Sequence, residues 1–494
     1  MPVLEISATR KRQGELGQFL TPPPVASFMA SLFEPLPPVI RLLDAGAGAG
    51  ALTLSFVTLL AGRQRGLRAI EATVYEVDPR IQDQLSATLD RCEQVCADAG
   101  IRFTATIHEA DFIQELSAKL ADQLFGVSPP VFDAAIVNPP YRKINADSAE
   151  RQALHSVGIE TGNLYTGFVA LIQRLLVPGG QVVGITPRSF CNGPYFRAFR
   201  EDFFADMELR RLHVFESRAA AFRGDSVLQE NIIFHAVKGR QQPRDLIIST
   251  SSGEHGDAVT EARFPFAEVV HPKDPAKFIH IPVKTAQVAA GESMGALHST
   301  LASLGITVST GRVVDFRVKD SLRAMPEKGT VPLVYPCHFN GGTVHWPREN
   351  SRKPNAILDN GETQLCLVPS GVYVLTKRFT SKEERRRLVA CVFDPRQVEA
   401  EWVGFENHLN YFHAERHGLG WNLALGLFAF LNSTTVDQYF RSFSGHTQVN
   451  ATDLRKLAYP DRATLVAMGT ELKTPTVAQD ELDRLVAKHL HGRR

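Results

Sequence analysis

The sequence is poor in the features that mark secreted and zinc-binding proteins. Its 494 residues include only six cysteines, and none of them forms a Cys-x-x-Cys pair. Cys92 and Cys96 lie about one helical turn apart, which indicates two thiols on a helix face rather than half of a metal site. Because reduced cysteines are typical of the cytosol, we expect a cytoplasmic protein that needs no metal.

Long apolar runs are also missing. The opening segment MPVLEISATRKRQGELG has no apolar core after its charged residues, so it does not resemble a signal peptide. The most apolar later stretch, WNLALGLFAFL from Trp421, is too short to cross a bilayer and predicts a buried helix. We therefore expect no contact with a membrane.

Charge of neither sign dominates the chain. Lysine and arginine number 54 and aspartate and glutamate 53, which gives a formal net charge of +1. The molecule as a whole is therefore not a polycation. Any binding to nucleic acid has to come from a local basic face instead.

The pattern of strands and helices divides the chain in two. Residues 41–240 alternate short apolar strands with amphipathic helices, which predicts a doubly wound, mainly parallel α/β sheet. After Gly239 this alternation is lost, and QQPRDLIISTSSGEHGD is typical of a linker or an irregular strand. We predict one domain over 1–240 and a separate α+β domain over 241–494.

A glycine-rich turn follows the first predicted strand. In DAGAGAG, Asp44 and Ala45 end the strand, and Gly46 and Gly48 let a ligand approach the backbone closely. Many nucleotide folds share such a turn, so alone it is a weak signal. However, a carboxylate at Asp44 would repel a pyrophosphate and suits a ligand that carries an ammonium group.

Two further acids come at the ends of the next two strands. Glu76 can accept hydrogen bonds from both hydroxyls of a ribose, and Asp111, followed by Phe112, can accept one from an adenine amino group. With Asp44 they match the amino acid, ribose and adenine of S-adenosylmethionine. The alternative is that these acids cap helices or lie in exposed turns.

A fourth strand ends in two prolines. FDAAIV runs into Asn138, Pro139, Pro140 and Tyr141, and prolines cannot continue a sheet ladder. The Asn138 side-chain oxygen and the Pro139 carbonyl can together accept both hydrogens of a planar amino group. Its lone pair then points towards an electrophilic methyl, while Tyr141 offers a ring on which a base can stack.

In the order of these motifs the sequence resembles the DNA adenine-N6 methyltransferases of type II restriction–modification systems. The resemblance covers roughly residues 14–240 and implies a Rossmann-like, S-adenosylmethionine-dependent catalytic domain. It also implies that Thr21 and Pro22 contact the cofactor, and that Phe196 packs on an adenine flipped out of the duplex. Leu164, Tyr165 and Phe168 are expected near the same pockets.

The resemblance implies a protein of the bacterial cytoplasm, associated with the nucleoid, whose residues 241–494 recognise the target sequence in double-stranded DNA. A cognate restriction endonuclease would act as a separate protein, and a monomer and a dimer both stay open. The polar segment SFSGHTQVNATDLRKLAYP suits base edges and phosphates. Its candidate DNA-binding residues are Ser444, His446, Thr447, Gln448 and Asn450.

Other interpretations of the motifs stay open at this point. The NPPY motif also occurs in methyltransferases that act on guanine N2 of RNA or on protein glutamine. A fused nuclease would explain Asp461, Glu471 and Lys473, whose spacing allows Mg²⁺ binding. A non-catalytic DNA-binding protein is the third alternative.

Overall fold

The computed structural model divides the chain into two compact units, Met1–Val283 and Lys284–Arg494. The residues that it describes are 21–122, 128–215, 230–239, 241–251, 259–272, 274–282, 290–291, 293–380, 384–444 and 448–491. Each unit is described below by itself.

The first unit contains a nine-stranded sheet of order β3-β2-β1-β4-β5-β7-β6-β8-β9. Its strands are β1 (Val39–Ala45), β2 (Ala69–Tyr75), β3 (Arg102–His108), β4 (Phe132–Val137), β5 (Leu176–Pro187), β6 (Met207–Phe215), β7 (Asn231–Lys238), β8 (Asp245–Ser251) and β9 (Thr260–Pro265). Its helices are α1 (Pro23–Ser31), α2 (Ala51–Arg63), α3 (Gln82–Asp98), α4 (Phe112–Ala121), α5 (Ala149–Ser156), α6 (Leu164–Leu175), α7 (Arg197–Asp206) and α8 (Phe266–Val269).

The predicted doubly wound sheet is confirmed. β1 pairs in parallel with β2 on one side and with β4 on the other, so the strand order reverses between β1 and β4. The carboxyl ends of parallel strands meet at one sheet edge, and ligands of such folds bind where the order reverses. The loops after β1, β2 and β4 begin with Gly46, Glu76 and Asn138, so all three residues come to this edge.

The boundary between the units differs from the prediction at 240/241. The segment interpreted as a linker or an irregular strand contains β8, which pairs in parallel with β6, and β9 then pairs with β8 in antiparallel register. Alternating apolar residues on β8, including Leu246 and Ile248, are buried in the first unit. Because these two strands extend the first sheet, the first unit continues to Val283.

The second unit has the predicted α+β character. Its strands are β10 (Thr307–Thr310), β11 (Leu322–Arg323), β12 (Thr330–Val334), β13 (Phe339–Asn340), β14 (Thr343–Val344), β15 (Ala356–Leu358), β16 (Leu367–Pro369), β17 (Tyr373–Lys377), β18 (Ala390–Phe393), β19 (Trp402–Phe405) and β20 (Leu409–His413). They form a six-stranded sheet, β10-β20-β17-β18-β14-β13, and a five-stranded sheet, β11-β15-β12-β19-β16.

Among the residues that the structure describes, the second unit also contains the helices α9 (Trp421–Leu431), α10 (Thr434–Phe443), α11 (Ala451–Lys456), α12 (Arg462–Leu472) and α13 (Gln479–His491). The residues from Leu423 to Leu431 are all buried, so the apolar run that begins at Trp421 is the predicted core helix. Across the described part of the chain, every helix is too short or too polar to span a bilayer.

Candidate active site

The glycine turn after β1 lies at the centre of the site. Gly46 and Gly48 have φ angles of 78° and 56°, a region that residues with a Cβ atom avoid. The amides of Gly46 and Ala47 both donate to the Tyr75 carbonyl at 2.9 Å, which ties the turn to the end of β2. Ala45 itself is buried at the end of β1. The turn therefore places bare backbone at the edge of the sheet.

A cavity of about 450 Å³ opens in front of this turn, and such a volume suits a small organic ligand. It brings together residues from four separate loops of the sheet edge. The predicted cofactor-binding and catalytic residues that line this cavity are Gly46, Gly48, Glu76, Asp111, Phe112, Asn138 and Pro140. Leu164 and Phe168, which open α6, complete one wall.

Glu76 is buried and held by backbone amides. The Gly48 amide donates to its Oε2 at 2.9 Å, and the Asp78 amide donates to its Oε1 at 2.8 Å. These two bonds fix the plane of the carboxylate against the glycine turn. The carboxylate lines the cavity, where it can accept hydrogen bonds from a ligand.

Asp111 fits both alternatives predicted for it, a helix cap and a residue that faces a ligand. Its Oδ1 accepts a hydrogen bond from the Gln114 amide at 2.9 Å, so it caps the N-terminus of α4. The residue is also exposed and lines the cavity together with Phe112. A helix cap in this position leaves carboxylate lone pairs directed at solvent or at a ligand.

Asp44 lies beneath the glycine turn rather than among the residues that line the cavity. It is fully buried, and the Thr53 hydroxyl donates to its Oδ2 at 2.7 Å. Burial raises the pKa of this carboxyl to about 7, although the bond from Thr53 opposes the shift. Within the described residues its Oδ1 has no hydrogen-bond partner. Its contact with an ammonium group stays a prediction.

Asn138 is oriented by side chains from both directions. The Tyr141 hydroxyl donates to its Oδ1 at 2.9 Å, and its Nδ2 donates to Thr21 Oγ1 at 3.0 Å. Tyr141 also reaches the Ile185 carbonyl on β5 at 3.3 Å. Thr21, predicted to contact the cofactor, therefore contacts the proposed catalytic amide, while Pro22 precedes the first turn of α1.

Three aromatic rings continue from the NPPY loop. The centroids of Tyr141 and Tyr165 are 6.3 Å apart, and those of Tyr165 and Phe196 are 5.6 Å apart. Burial raises the pKa of both tyrosines, so both hydroxyls stay protonated. Neither Tyr141 nor Phe196 is among the described residues that line the 450 Å³ cavity. Stacking of a base on these two rings stays a prediction.

Sequence reasoning missed several residues of the cavity. Val77 follows Glu76 and is 50% exposed, although it is apolar, and it lines the cavity beside Ile81. Arg142 and Glu150 also line it and form an ion pair at 2.8 Å. An apolar side chain directly after a strand-end acid is the one signal that could have identified Val77, since a ligand would cover it.

The predicted DNA-binding residues of the second unit have mixed outcomes. Ser444 is buried, and its hydroxyl accepts a hydrogen bond from Arg387, so the prediction that it contacts DNA is not supported. Asn450 caps α11 through a capping box, and Gln448 is partly buried beside Arg378. His446 and Thr447 lie outside the described residues.

The acids of the nuclease-like spacing have structural partners. Asp461 caps α12 by accepting a hydrogen bond from the Thr464 amide at 2.7 Å. Glu471 lies on that helix and pairs with Lys488 at 2.8 Å and with His489 at 3.0 Å. Lys473 follows the last residue of the helix. Helix capping and surface ion pairing therefore explain this spacing.

Comparisons with known proteins give a consistent result along the sequence. Residues 85–222 match a family model described as Eco57I restriction-modification methylase. The chain is 42% identical over 478 residues to the type II methyltransferase M.PstI of Providencia stuartii, covering 97% of this chain and 93% of the relative. It is 44% identical over 485 residues to the type II methyltransferase M.BsuBI of Bacillus subtilis, covering 97% and 95%.

Solved structures are more distant. A complex of DrdV with DNA shares 12% identity with a TM-score of 0.49, over 92% of this chain and 57% of that one. The type IIG restriction endonuclease BpuSI shares 14% identity with a TM-score of 0.46, over 97% of this chain and 64% of that one. The chain thus spans about three fifths of the length of these two structures.

Proposed function

This chain belongs to the type II methyltransferases of restriction–modification systems, which methylate DNA at specific sites, and from that premise we propose that its target is N6 of adenine. The observation that carries this proposal is the position of Asn138. Its amide lies at the edge of the cavity, held between Tyr141 and Thr21, and the Pro139 carbonyl follows it directly in the chain.

The residues of the cavity fit S-adenosylmethionine. The Glu76 carboxylate, fixed by two backbone amides, would accept the ribose hydroxyls. Val77 and Phe112 offer apolar surface for the faces of an adenine ring, and Asp111 offers an acceptor for its amino group. Asp44 would balance the charge of the ammonium group. When bound, this cofactor supplies an electrophilic methyl group on its sulfonium.

Asn138 and Pro139 would then prepare the nucleophile. An exocyclic amine of a base is weakly nucleophilic because its lone pair is delocalised into the ring. Two acceptors that bind its hydrogens favour a pyramidal nitrogen and point the lone pair away from the ring. Formation of the new N–C bond would break the bond between that methyl group and the sulfonium sulfur, leaving a neutral thioether, and the nitrogen would release one of its hydrogens as a proton to water. A paired adenine cannot reach such a site, so the base has to be flipped out of the duplex.

Cytosine N4 is another exocyclic amine of DNA that this arrangement could hold. The resemblance of the whole motif series to adenine-N6 enzymes favours adenine. Incubation of the purified protein with unmethylated plasmid and S-adenosylmethionine, followed by nucleoside mass spectrometry, should yield N6-methyladenine. N4-methylcytosine as the product would contradict the proposal.

The Asn138→Ala variant tests the role of the amide in the same assay. Removing one acceptor that acts mainly in the transition state should slow transfer by about 10²- to 10³-fold, as for comparable oriented groups in other enzymes. Binding of the cofactor should change little, which calorimetry can measure. Methylation at the parental rate would show that the amide has no such role.

A further inference from the structure

Positive charge is concentrated in one segment of the second unit. Residues 311–355 contain eight lysines and arginines and four aspartates and glutamates, although the whole chain has a net charge of only +1. A protein with almost no net charge needs a local basic surface of this kind to bind a polyanion.

The loop between β14 and β15 presents several of these charges to solvent. Arg348, Asn350, Arg352 and Lys353 are all exposed in this loop. Arginine and lysine are the usual contacts to phosphates, whereas arginine and asparagine are the usual readers of guanine and adenine edges in the major groove. The loop therefore combines both types of contact.

Asn355 holds this loop in a defined shape. It is buried at the end of the loop, and its Oδ1 accepts a hydrogen bond from the Arg348 amide at 2.7 Å. Its Nδ2 donates to the Arg348 carbonyl at 3.1 Å, and its own carbonyl accepts from Trp346 Nε1 at 2.5 Å. The Arg348 guanidinium also donates to the Cys337 carbonyl. A loop ordered in advance loses less entropy when it binds.

A second exposed element lies beside the loop. Lys353 Nζ pairs with Asp315 at 3.0 Å and lies 5.1 Å from the centre of the Tyr335 ring. Next to Asp315, Phe316 is 78% exposed, and the Arg317 guanidinium lies 5.7 Å from the centre of its ring. A large exposed aromatic next to a cation offers a nucleic acid an apolar contact and a charged contact side by side.

We propose that the loop from 345 to 353, together with Phe316 and Arg317, is the surface with which the second unit binds and reads double-stranded DNA. In this assignment Arg317 and Arg352 contact phosphates, and Arg348 and Asn350 contact base edges. The assignment rests on the proposed function of the chain. It replaces the segment that contains Ser444 and Asn450, whose side chains serve core packing and helix capping.

The phosphate contacts are tested by salt dependence. The full chain and the double variant Arg317→Ala/Arg352→Ala are titrated with a fluorescein-labelled duplex of arbitrary sequence at several salt concentrations. Loss of two phosphate contacts should reduce the slope of log K against log salt by about 0.9 for each contact. The matched control is Arg484→Ala/Lys488→Ala, which removes two exposed charges from α13 and should keep the parental slope.

The base contacts are tested by mapping methylated sites. Arg348→Lys removes the forked guanidinium, and Asn350→Gly removes a side chain from a residue whose φ of 56° glycine tolerates well. Each variant methylates a plasmid library, and sequencing defines the sites it modifies. Each should lose about tenfold or more of its discrimination at one base pair of the parental motif.

The assignment would be overturned if Arg317→Ala/Arg352→Ala kept the parental salt dependence, or if the control variant lost as much of the slope. It would also be overturned if both base-contact variants still methylated the parental motif with the parental discrimination. The parental protein in these same reactions tests the proposed function separately. If it methylates no adenine, the proposed function fails. If it does so while the variants behave like it, only the surface assignment fails.

Discussion

The Tyr141→Phe variant separates the two roles that Tyr141 has in the site. The hydroxyl is buried and donates to Asn138 Oδ1 at 2.9 Å, whereas stacking of a base on the ring is the role predicted from the sequence. Phenylalanine keeps the ring and removes only the hydroxyl. Since Asn138 Oδ1 has two lone pairs, it can accept from Tyr141 and from the target amine together. The hydroxyl is therefore a positioning group for the amide.

The size of the effect follows from the hydrogen bond that is lost. A bond between neutral groups contributes about 0.5–1.5 kcal/mol net, so loss of this orientation should slow methyl transfer by about 2- to 12-fold. The second anchor of the amide, Thr21, still holds Nδ2 at 3.0 Å, which limits the loss. The loss should appear in kcat, with the KM for DNA and the affinity for the cofactor close to the parental values.

Single-turnover transfer of a tritiated methyl group into an unmethylated plasmid measures this effect. Tyr141→Leu is the matched control, because it removes both hydroxyl and ring and should lose a further stacking contribution of about 1–3 kcal/mol. Transfer by Tyr141→Phe at the parental rate, with Tyr141→Leu strongly impaired, would refute the positioning role and leave only the ring. Equal defects in both variants would refute the stacking role.

Two further predictions concern stability. Burial raises the pKa of Asp44 from 3.8 to about 7, so the folded protein holds this proton more tightly than the unfolded chain does. The contribution of Asp44 to the free energy of unfolding is therefore fully present below pH 4 and is lost as the pH rises through about 7, a fall of roughly 4 kcal/mol. Urea denaturation should show that Asp44→Asn removes this fall, and parallel pH profiles of variant and parent would contradict it. Gly50→Ala should lower the free energy of unfolding by about 1–2 kcal/mol or more, because φ is 82° and the new Cβ would lie 3.0 Å from Thr88. Its control, Gly62→Ala in α2, has open space around the new Cβ and should be neutral or stabilising by up to about 1 kcal/mol. Equal melting temperatures of the two variants would contradict both expectations.

Much of the first unit could be predicted because its signals are local. The strand that ends at Ala45, the acid at Glu76 and the prolines after Asn138 each mark a strand end by turn chemistry alone. Parallel pairing then brings those ends to one edge, which is where the cavity lies. The boundary at 240/241 was wrong because the alternation of strands and helices ends there, whereas β8 and β9 belong to the first sheet through the pairing of β8 with β6, which no local pattern shows.

The sequence by itself determined the strand ends, the order of the motifs and so the class of reaction, since these depend on residues close together in the chain. Only the tertiary structure decided which side chains meet. The bond from Asn138 to Thr21 joins residues 117 positions apart, and Ser444 is buried against an arginine 57 positions away. Burial and hydrogen bonding between such distant residues depend on the packing of whole elements, which no local pattern encodes.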